Sequence, residues 1–202
     1  MKIGFREEGD AIVLLDGAAW ASGAQHAAPL LDPQLEFSSS EYSKTIGGIV
    51  AGEPPAIDLA AEKRLQECLV ALAATGAVRS AHDVSDGGIA VTLAESCFAS
   101  PVGGQHTAPL LGANVKLEGA PAAEYVLFGE RGARAVVSMA PTSLAAVLET
   151  ARQYGVTAQQ IGQVIRGNAF CIEYKGRAVI DTSVAKLYDI WAHSLERILK
   201  VS

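Results

Sequence analysis

No apolar run in this 202-residue sequence reaches the roughly 18 residues that a membrane-crossing helix needs. The opening Met1-Lys-Ile-Gly-Phe-Arg-Glu-Glu-Gly-Asp10 has no hydrophobic signal core. Basic residues are few and scattered: 16 Lys and Arg stand against 22 Asp and Glu, for a net charge of −6. Without a Lys/Arg cluster the chain lacks the electrostatic footprint of a nucleic-acid binder. The three cysteines, Cys68, Cys97 and Cys171, show no C-x-x-C spacing, which favours buried reduced thiols over metal or nucleophile roles. Repeats, low-complexity tracts and sustained heptads are also missing. What remains is the profile of a cytoplasmic protein with neither membrane nor nucleic acid as partner.

What is present is apolar: 50% of residues are hydrophobic and 19% charged, the balance of a folded chain. The length suits one good core, or one domain plus part of another. Ala11-Ile-Val-Leu-Leu15 reads as a strand buried on both faces. Gly17 to Gly52 has no clear periodicity, and so long a loop is uncommon inside a compact domain. The chain therefore reads as a fragment whose first 45 or so residues have lost their sheet, followed by a regular pattern of helices and strands. In that pattern Asp58 caps a helix with Leu59, Leu65, Cys68, Leu69 and Leu72 on its apolar face, ended by Gly76. Val78–Ala81 reads as a strand and Gly88–Phe98 as a helix. Ala113, Val115 and Leu117 alternate as in a strand, and Arg134–Met139 is a core strand. A third helix starts at Thr142 or Ser143 and stops at Gly155. Strands follow at 161–165, 170–174 and 177–180. The last helix bears the cleanest stripe: Val184, Leu187, Tyr188, Trp191, Leu195, Ile198 and Leu199. Hairpins interrupt the β-α-β rhythm, so the expected fold is α/β (α+β): a mixed sheet with helices packed on one side.

The chemistry concentrates in Ser80-Ala-His-Asp-Val-Ser-Asp-Gly-Gly-Ile-Ala90. A glycine-rich turn opening a helix offers unpaired N–H groups to an anion, yet Asp83 and Asp86 repel phosphate. A divalent cation reverses that sign: Mg²⁺ takes carboxylate and phosphate oxygens together. Candidate ligands of a magnesium nucleotide are therefore His82, Asp83, Ser85, Asp86, Gly87 and Gly88, the carboxylates toward the metal. The alternative is structural: Asp86 as a helix cap, Asp83 in an Asx turn, the glycines for turn geometry and His82 as a hydrogen-bonded strand-end residue. Phe128-Gly-Glu-Arg-Gly-Ala-Arg134 sets two arginines and two glycines at a strand start, either as an anion site or as a solvated turn. Ser38-Ser-Ser-Glu-Tyr-Ser-Lys44 is a candidate docking loop.

Taken in order, E-E-G-D-A-I-V-L-L, S-E-Y-S-K, P-P-A-I-D-L-A-A-E-K, H-D-V-S-D-G-G-I-A and L-F-G-E-R-G-A-R resemble the C-terminal part of the phosphoribosylformylglycinamidine synthase family. That family sits within the wider superfamily of aminoimidazole ribonucleotide synthetase, selenophosphate synthetase and thiamine-monophosphate kinase. The resemblance implies an ATP- and Mg²⁺-dependent ligase of purine biosynthesis, with residues 1–45 the last strand and exit loop of an N-terminal-type domain, 46–202 a complete C-terminal-type domain, and Asp83 on the metal. Formylglycinamide ribonucleotide, glutamine and ATP would give formylglycinamidine ribonucleotide. It further implies partners: an N-terminal portion of the same enzyme, a glutaminase subunit and a small bridging subunit, besides a possible homodimer. Ser38 and Ser39 replace the family's Gly-Gly, and Gly129-Glu-Arg-Gly132 replaces a Ser-Glu-Ser-Gln-like turn. These departures turn the expectation toward an auxiliary nucleotide site that includes Glu130. No catalytic residue is then expected in this chain, and the isolated chain is expected to be inactive. Two other readings are a non-catalytic nucleotide-binding or dimerisation module and a selenophosphate synthetase-like phosphotransferase fragment.

Overall fold

The computed structural model describes residues 1–18, 37–49, 51–98 and 111–200. Seven strands form one sheet in the order β2-β4-β1-β5-β3-β6-β7: β1 (Ala11–Asp16), β2 (Ser80–Asp83), β3 (Leu111–Leu117), β4 (Arg134–Met139), β5 (Thr157–Arg166), β6 (Ala169–Tyr174) and β7 (Arg177–Ser183). The helices are α1 (Glu41–Gly47), α2 (Leu59–Thr75), α3 (Gly88–Phe98), α4 (Ala123–Phe128), α5 (Leu144–Gln153) and α6 (Val184–Lys200). One pair, β3 with β6, is parallel and the others are antiparallel. The mixed sheet is as expected.

Two parts of the sequence reading are corrected. β1 is not the last strand of a domain that has lost its sheet: it lies inside this one, paired with β4 on one side and β5 on the other. A strand apolar on both faces needs two neighbours and two covering layers. Here the neighbours come from the far end of the chain, Asp16 standing opposite Arg134 and Thr157. Residues 46–202 alone would lack an interior strand. Residues before β1 are also tied in, Phe5 being fully buried with its N–H on the Ser96 carbonyl.

The helices, expected on one side, cover both faces. Alternate residues of β1 sort the core: Ala11, Val13 and Leu15 pack with Leu65, Cys68 and Leu72 of α2 and Val147 of α5. Ile12 packs in the opposite cluster with Ile89 and Leu93 of α3, Leu127 of α4 and Val184 of α6. Each fully buried leucine of this kind, such as Leu72 or Leu93, contributes roughly 1.5–3 kcal/mol by leaving water.

Local signals held where they were strong. The Asp58 Oδ1 accepts from the N–H groups of Ala60 and Ala61 at 2.9 and 3.0 Å, and Gly76, left-handed at φ 67°, ends α2. Leu59, assigned to the apolar face, is exposed, because it lies on the far side of the helix from the buried row Ala61, Leu65, Cys68 and Leu72 at 100° per residue. Strand β2 runs over Ser80–Asp83 rather than 78–81. Its register against β4, Ser80 to Ser138 and Asp83 to Ala135, carries pairing two residues further, while Val78 keeps its burial without pairing. Helix α1 falls in the stretch that lacked periodicity. It buries none of its residues, so it leaves no apolar stripe to read. Within 17–52, residues 19–36 and 50 lie outside the described ones.

Cys68 and Cys97 are buried, and burial pushes their thiols up to about 11 and about 12, as befits inert packing residues. Among the described residues no helix is long and apolar enough to cross a membrane.

Asp10 is a buried carboxylate, 1% exposed, with Oδ1 on the Arg79 guanidinium and Oδ2 without a partner. Burial raises its pKa, against the pull of Arg79. A carboxyl raised above its unfolded value of about 3.9 favours the fold most below that value. The contribution is lost as pH rises through the folded pKa. In thermal melts Asp10→Asn, which cannot titrate, should therefore gain on the wild type between pH 4 and pH 7. A relative loss over that interval would contradict the burial argument.

Candidate functional site

Strand β2 delivers His82 and Asp83 to the edge of the sheet, and the turn after it starts α3. Asp83 thus ends a strand rather than standing in the turn. A cavity of about 640 Å³ opens here, bounded by α2 (Glu62, Leu65, Gln66, Leu69), by 81–86 and by the loop 130–135, with Ser39, Pro54 and Pro55 also on its rim. It gathers His82, Asp83, Ser85, Asp86 and Glu130, as the sequence reading grouped them. Gly87 and Gly88 lie just behind, at the helix start.

The two glycines are needed for the backbone itself. Gly87 and Gly88 have φ of 79° and 67°, a region where L-residues are costly. A Cβ on Gly88 would meet the Leu127 carbonyl oxygen at 2.6 Å and the Phe128 Cα at 2.8 Å. The start of α3 is therefore pressed against the end of α4. This part of the structural alternative holds, whatever else the turn does.

Glu130 has the most telling position. Its Oε1 accepts from the Gly87 N–H at 2.8 Å and from the Glu41 N–H at 2.9 Å. One carboxylate thus braces the starts of α3 and α1 against the 129–134 loop, in the place that a phosphate oxygen would take. A similar bond runs from the Ala133 N–H to Glu62 Oε1 at 2.6 Å. Neither arginine of this loop is poised to hold an external anion. Arg131 pairs with Asp16, both side chains being 12% exposed. Buried Arg134 donates to the Gly129 and Arg131 carbonyl oxygens. The loop is a set of internal bonds, so the solvated-turn reading is also set aside.

His82 is placed between two acceptors. Its Nδ1 lies 2.8 Å from the Asp83 carbonyl oxygen and its Nε2 3.1 Å from Glu95 Oε2. Both ring nitrogens thus face protein oxygens, and the tautomer decides which of the two contacts carries the ring N–H. Glu95, on α3, was missed by the sequence reading; its Oε1 accepts from the indole N–H of Trp191 on α6 at 3.1 Å. A carboxylate two turns into a helix carries no local signal for this role, since both partners arrive through tertiary packing.

The most exposed groups at the cavity are Asp83, Ser85 and Asp86, the Asp83 Oδ1 lying 3.4 Å from His82 Nδ1. The Asp83 side chain is 78% exposed, and Ser85 and Asp86 are exposed beside it. Among the described residues no three His, Cys, Asp or Glu side chains converge on one point. The donor set nevertheless fits Mg²⁺ in kind: hard carboxylate oxygens that would share the ion with phosphate oxygens and water. Phosphate groups would enter such a site as a magnesium complex, since acidic walls repel them otherwise.

Comparison with known proteins agrees with this architecture. Residues 7–175 match the family described as AIR synthase related protein, C-terminal domain, a span that takes in β1. The PurL subunit of phosphoribosylformylglycinamidine synthase from Moorella thermoacetica is 35% identical over 193 residues, covering 96% of this chain and 23% of that relative. The chain thus spans about a quarter of its relatives' length. T. maritima PurL complexed with FGAR superposes with a TM-score of 0.64 at 22% identity, over 91% of this chain and 28% of that one. The same protein complexed with ADP gives 0.63 at 20% identity, over 91% and 26%. At such identities these structures speak for the fold. With a family match over most of its length and a sheet of the same build, the chain belongs to the AIR synthase related proteins, whose C-terminal domain it contains.

Proposed function

We propose that this chain is the C-terminal part of a PurL-type ligase. The whole enzyme would convert formylglycinamide ribonucleotide to formylglycinamidine ribonucleotide with ATP and glutamine, in the cytoplasm. Its partners would be the rest of the same enzyme, a glutaminase subunit and a small bridging subunit. Within this chain the proposed task is to hold a magnesium nucleotide in an auxiliary role, with Asp83 on the metal. His82, Ser85, Asp86, Gly87, Gly88 and Glu130 would shape the site. The observation that carries the proposal is the 640 Å³ cavity that collects Asp83, Ser85 and Asp86 at the start of α3. Asp83 would take Mg²⁺, with Asp86 beside it in the nucleotide site, and the metal would neutralise the phosphates. Glu130 would work through the turn, keeping α3 in position.

Calorimetric titration with Mg-ADP tests this. The wild type should bind, and Asp83→Asn should weaken binding at least about tenfold, the scale of loss for a metal-site group. Equal affinities would remove Asp83 from the site, and no binding by the wild type would remove the site. The chain alone should show no ligase turnover with ammonia supplied, since the groups that do the chemistry would lie on the rest of the enzyme. Turnover would refute that placement.

The Glu130 bonds favour a second reading, in which the turn is only structural. The anion position next to Gly87 is already filled from within. On this reading Glu130→Gln lowers the melting temperature and Mg-ADP leaves it unchanged.

A further inference from the structure

The end of β2 is held by one face of α3. Thr92 and Glu95 stand three residues apart on that helix, close enough to act side by side, and both reach the strand end. Buried Thr92 donates from Oγ1 to the Asp83 carbonyl oxygen at 3.1 Å. Glu95 Oε2 lies 3.1 Å from His82 Nε2. A carboxylate oxygen accepts and does not donate, so Glu95 engages the ring through an N–H at Nε2. The other ring nitrogen, Nδ1, lies 2.8 Å from the same Asp83 carbonyl oxygen and 3.4 Å from Asp83 Oδ1. The His82 side chain is 11% exposed against 78% for Asp83. The Asp83 carboxylate thus reaches into water from a backbone that α3 fixes twice, directly through Thr92 and through the His82 ring held by Glu95.

The other oxygen of Glu95 serves a different element. Oε1 accepts from the indole N–H of Trp191 on α6 at 3.1 Å. The same indole leans on Phe98, the last residue of α3, with ring centroids 5.7 Å apart. The Glu95 side chain is 31% exposed, and a carboxylate this open could be satisfied by water, with little stability to gain from protein partners. Both of its oxygens are nevertheless committed, one to β2 and one to α6. We propose that Glu95 is a positioning residue of the cavity: through His82 it sets the strand end that carries Asp83, and through Trp191 it ties that strand end to α6. A shift of α6 is then felt at Asp83. The positioning role rests on the reading of Asp83 as a magnesium ligand, whereas the tie between α6 and β2 does not.

Nuclear magnetic resonance of the isotope-labelled full chain tests the tie, and calorimetric titration with Mg-ADP tests the positioning role. Trp191→Phe keeps an aromatic ring against Phe98 and removes the indole donor. It should shift the His82 ring resonances and the Asp83 amide resonance. Made on top of Glu95→Ala, the same substitution should leave both unmoved, as a double-mutant cycle requires of a contact already removed. Glu95→Ala, with an unchanged circular dichroism spectrum, should weaken Mg-ADP binding about tenfold, the lower end for a group that orients a metal ligand. Glu95→Gln keeps an oxygen for the indole N–H and an amide for the ring, and should recover most of that loss. Resonances of His82 and Asp83 that ignore Trp191→Phe, or that move equally without Glu95, would overturn the tie. Equal affinities of Glu95→Ala and the wild type for Mg-ADP would overturn the positioning role. A wild type that does not bind Mg-ADP would refute the magnesium-nucleotide reading and the positioning role with it, while the resonances still decide on the tie.

Discussion

Replacing Gly88 with alanine is expected to lower the stability of this domain by about 2–5 kcal/mol. The residue sits at φ 67°, where a side chain costs roughly 1–2 kcal/mol. A Cβ there also runs into backbone: the Leu127 oxygen at 2.6 Å, the Phe128 Cα at 2.8 Å and the Gly129 oxygen at 2.9 Å. Overpacking against atoms that cannot rotate away costs roughly another 1–3 kcal/mol. For a chain of this size that corresponds to a fall in melting temperature of about 5–20 °C. Gly87→Ala provides the contrast. Its obstacles are the Val91 Cγ2 at 2.4 Å and Cβ at 2.9 Å, a single side chain rather than three backbone atoms of a packed helix end, so the loss should be smaller. A Gly88→Ala protein melting within about 2 °C of the wild type would mean that α3 and α4 are not pressed together as described.

Arg131→Ala should cost about 3 kcal/mol, read as a shift in the urea midpoint with unchanged slope. The Arg131 Nη1 donates to Asp16 Oδ1 at 3.0 Å, and its Nη2 contacts Oδ2. Both side chains are largely out of water. Removing one member of a buried pair takes away much of the compensation for the other charge, which is what makes such losses large, of the order of 3–5 kcal/mol. The lower end applies because the Ala18 N–H still donates to Asp16 Oδ1 at 3.0 Å. The double variant Asp16→Asn/Arg131→Met tests the cause. It removes both charges and should recover most of the stability, giving a strong positive coupling in a double-mutant cycle. A double variant as unstable as Arg131→Ala would show that the guanidinium acts by packing rather than by neutralising Asp16. Arg131→Lys should not suffice, since an ammonium cannot span both oxygens of the carboxylate.

Both substitutions lie in the segments that the sequence brought forward, yet neither effect is visible there. The glycines of 87–88 stand out in the sequence, and φ > 0 is a fair expectation for such a pair. Which backbone presses on them is a matter of α4, forty residues later. The arginines of 128–134 suggested an anion site because clustered guanidinium groups generally mark one. In the folded chain Arg131 reaches Asp16, at the end of β1, and Arg134 turns back on its own loop. Their charge is consumed inside the protein. Glu95 shows the reverse case, a residue with no local signal that joins His82 to Trp191.

The sequence by itself determined the elements whose signals are local. The Asp58 cap, the exact span of α3, the alternation of β3 and the core strand β4 all follow from hydrogen-bonding side chains and apolar periodicity within a few residues. It also carried enough of the family's motifs to indicate the fold. Tertiary structure decided what depends on long-range pairing. β1 reads as buried on both faces, but its partners lie 118 and 141 residues beyond it in register, Asp16 to Arg134 and to Thr157. Sequence separation of that kind leaves no trace in a local pattern, so a central strand was taken for a stray one. The same reason governs the site: side-chain types announced a place for metal and phosphate. Only the packing revealed that Glu130 already fills the anion position, while Asp83 and Asp86 stay open to the cavity.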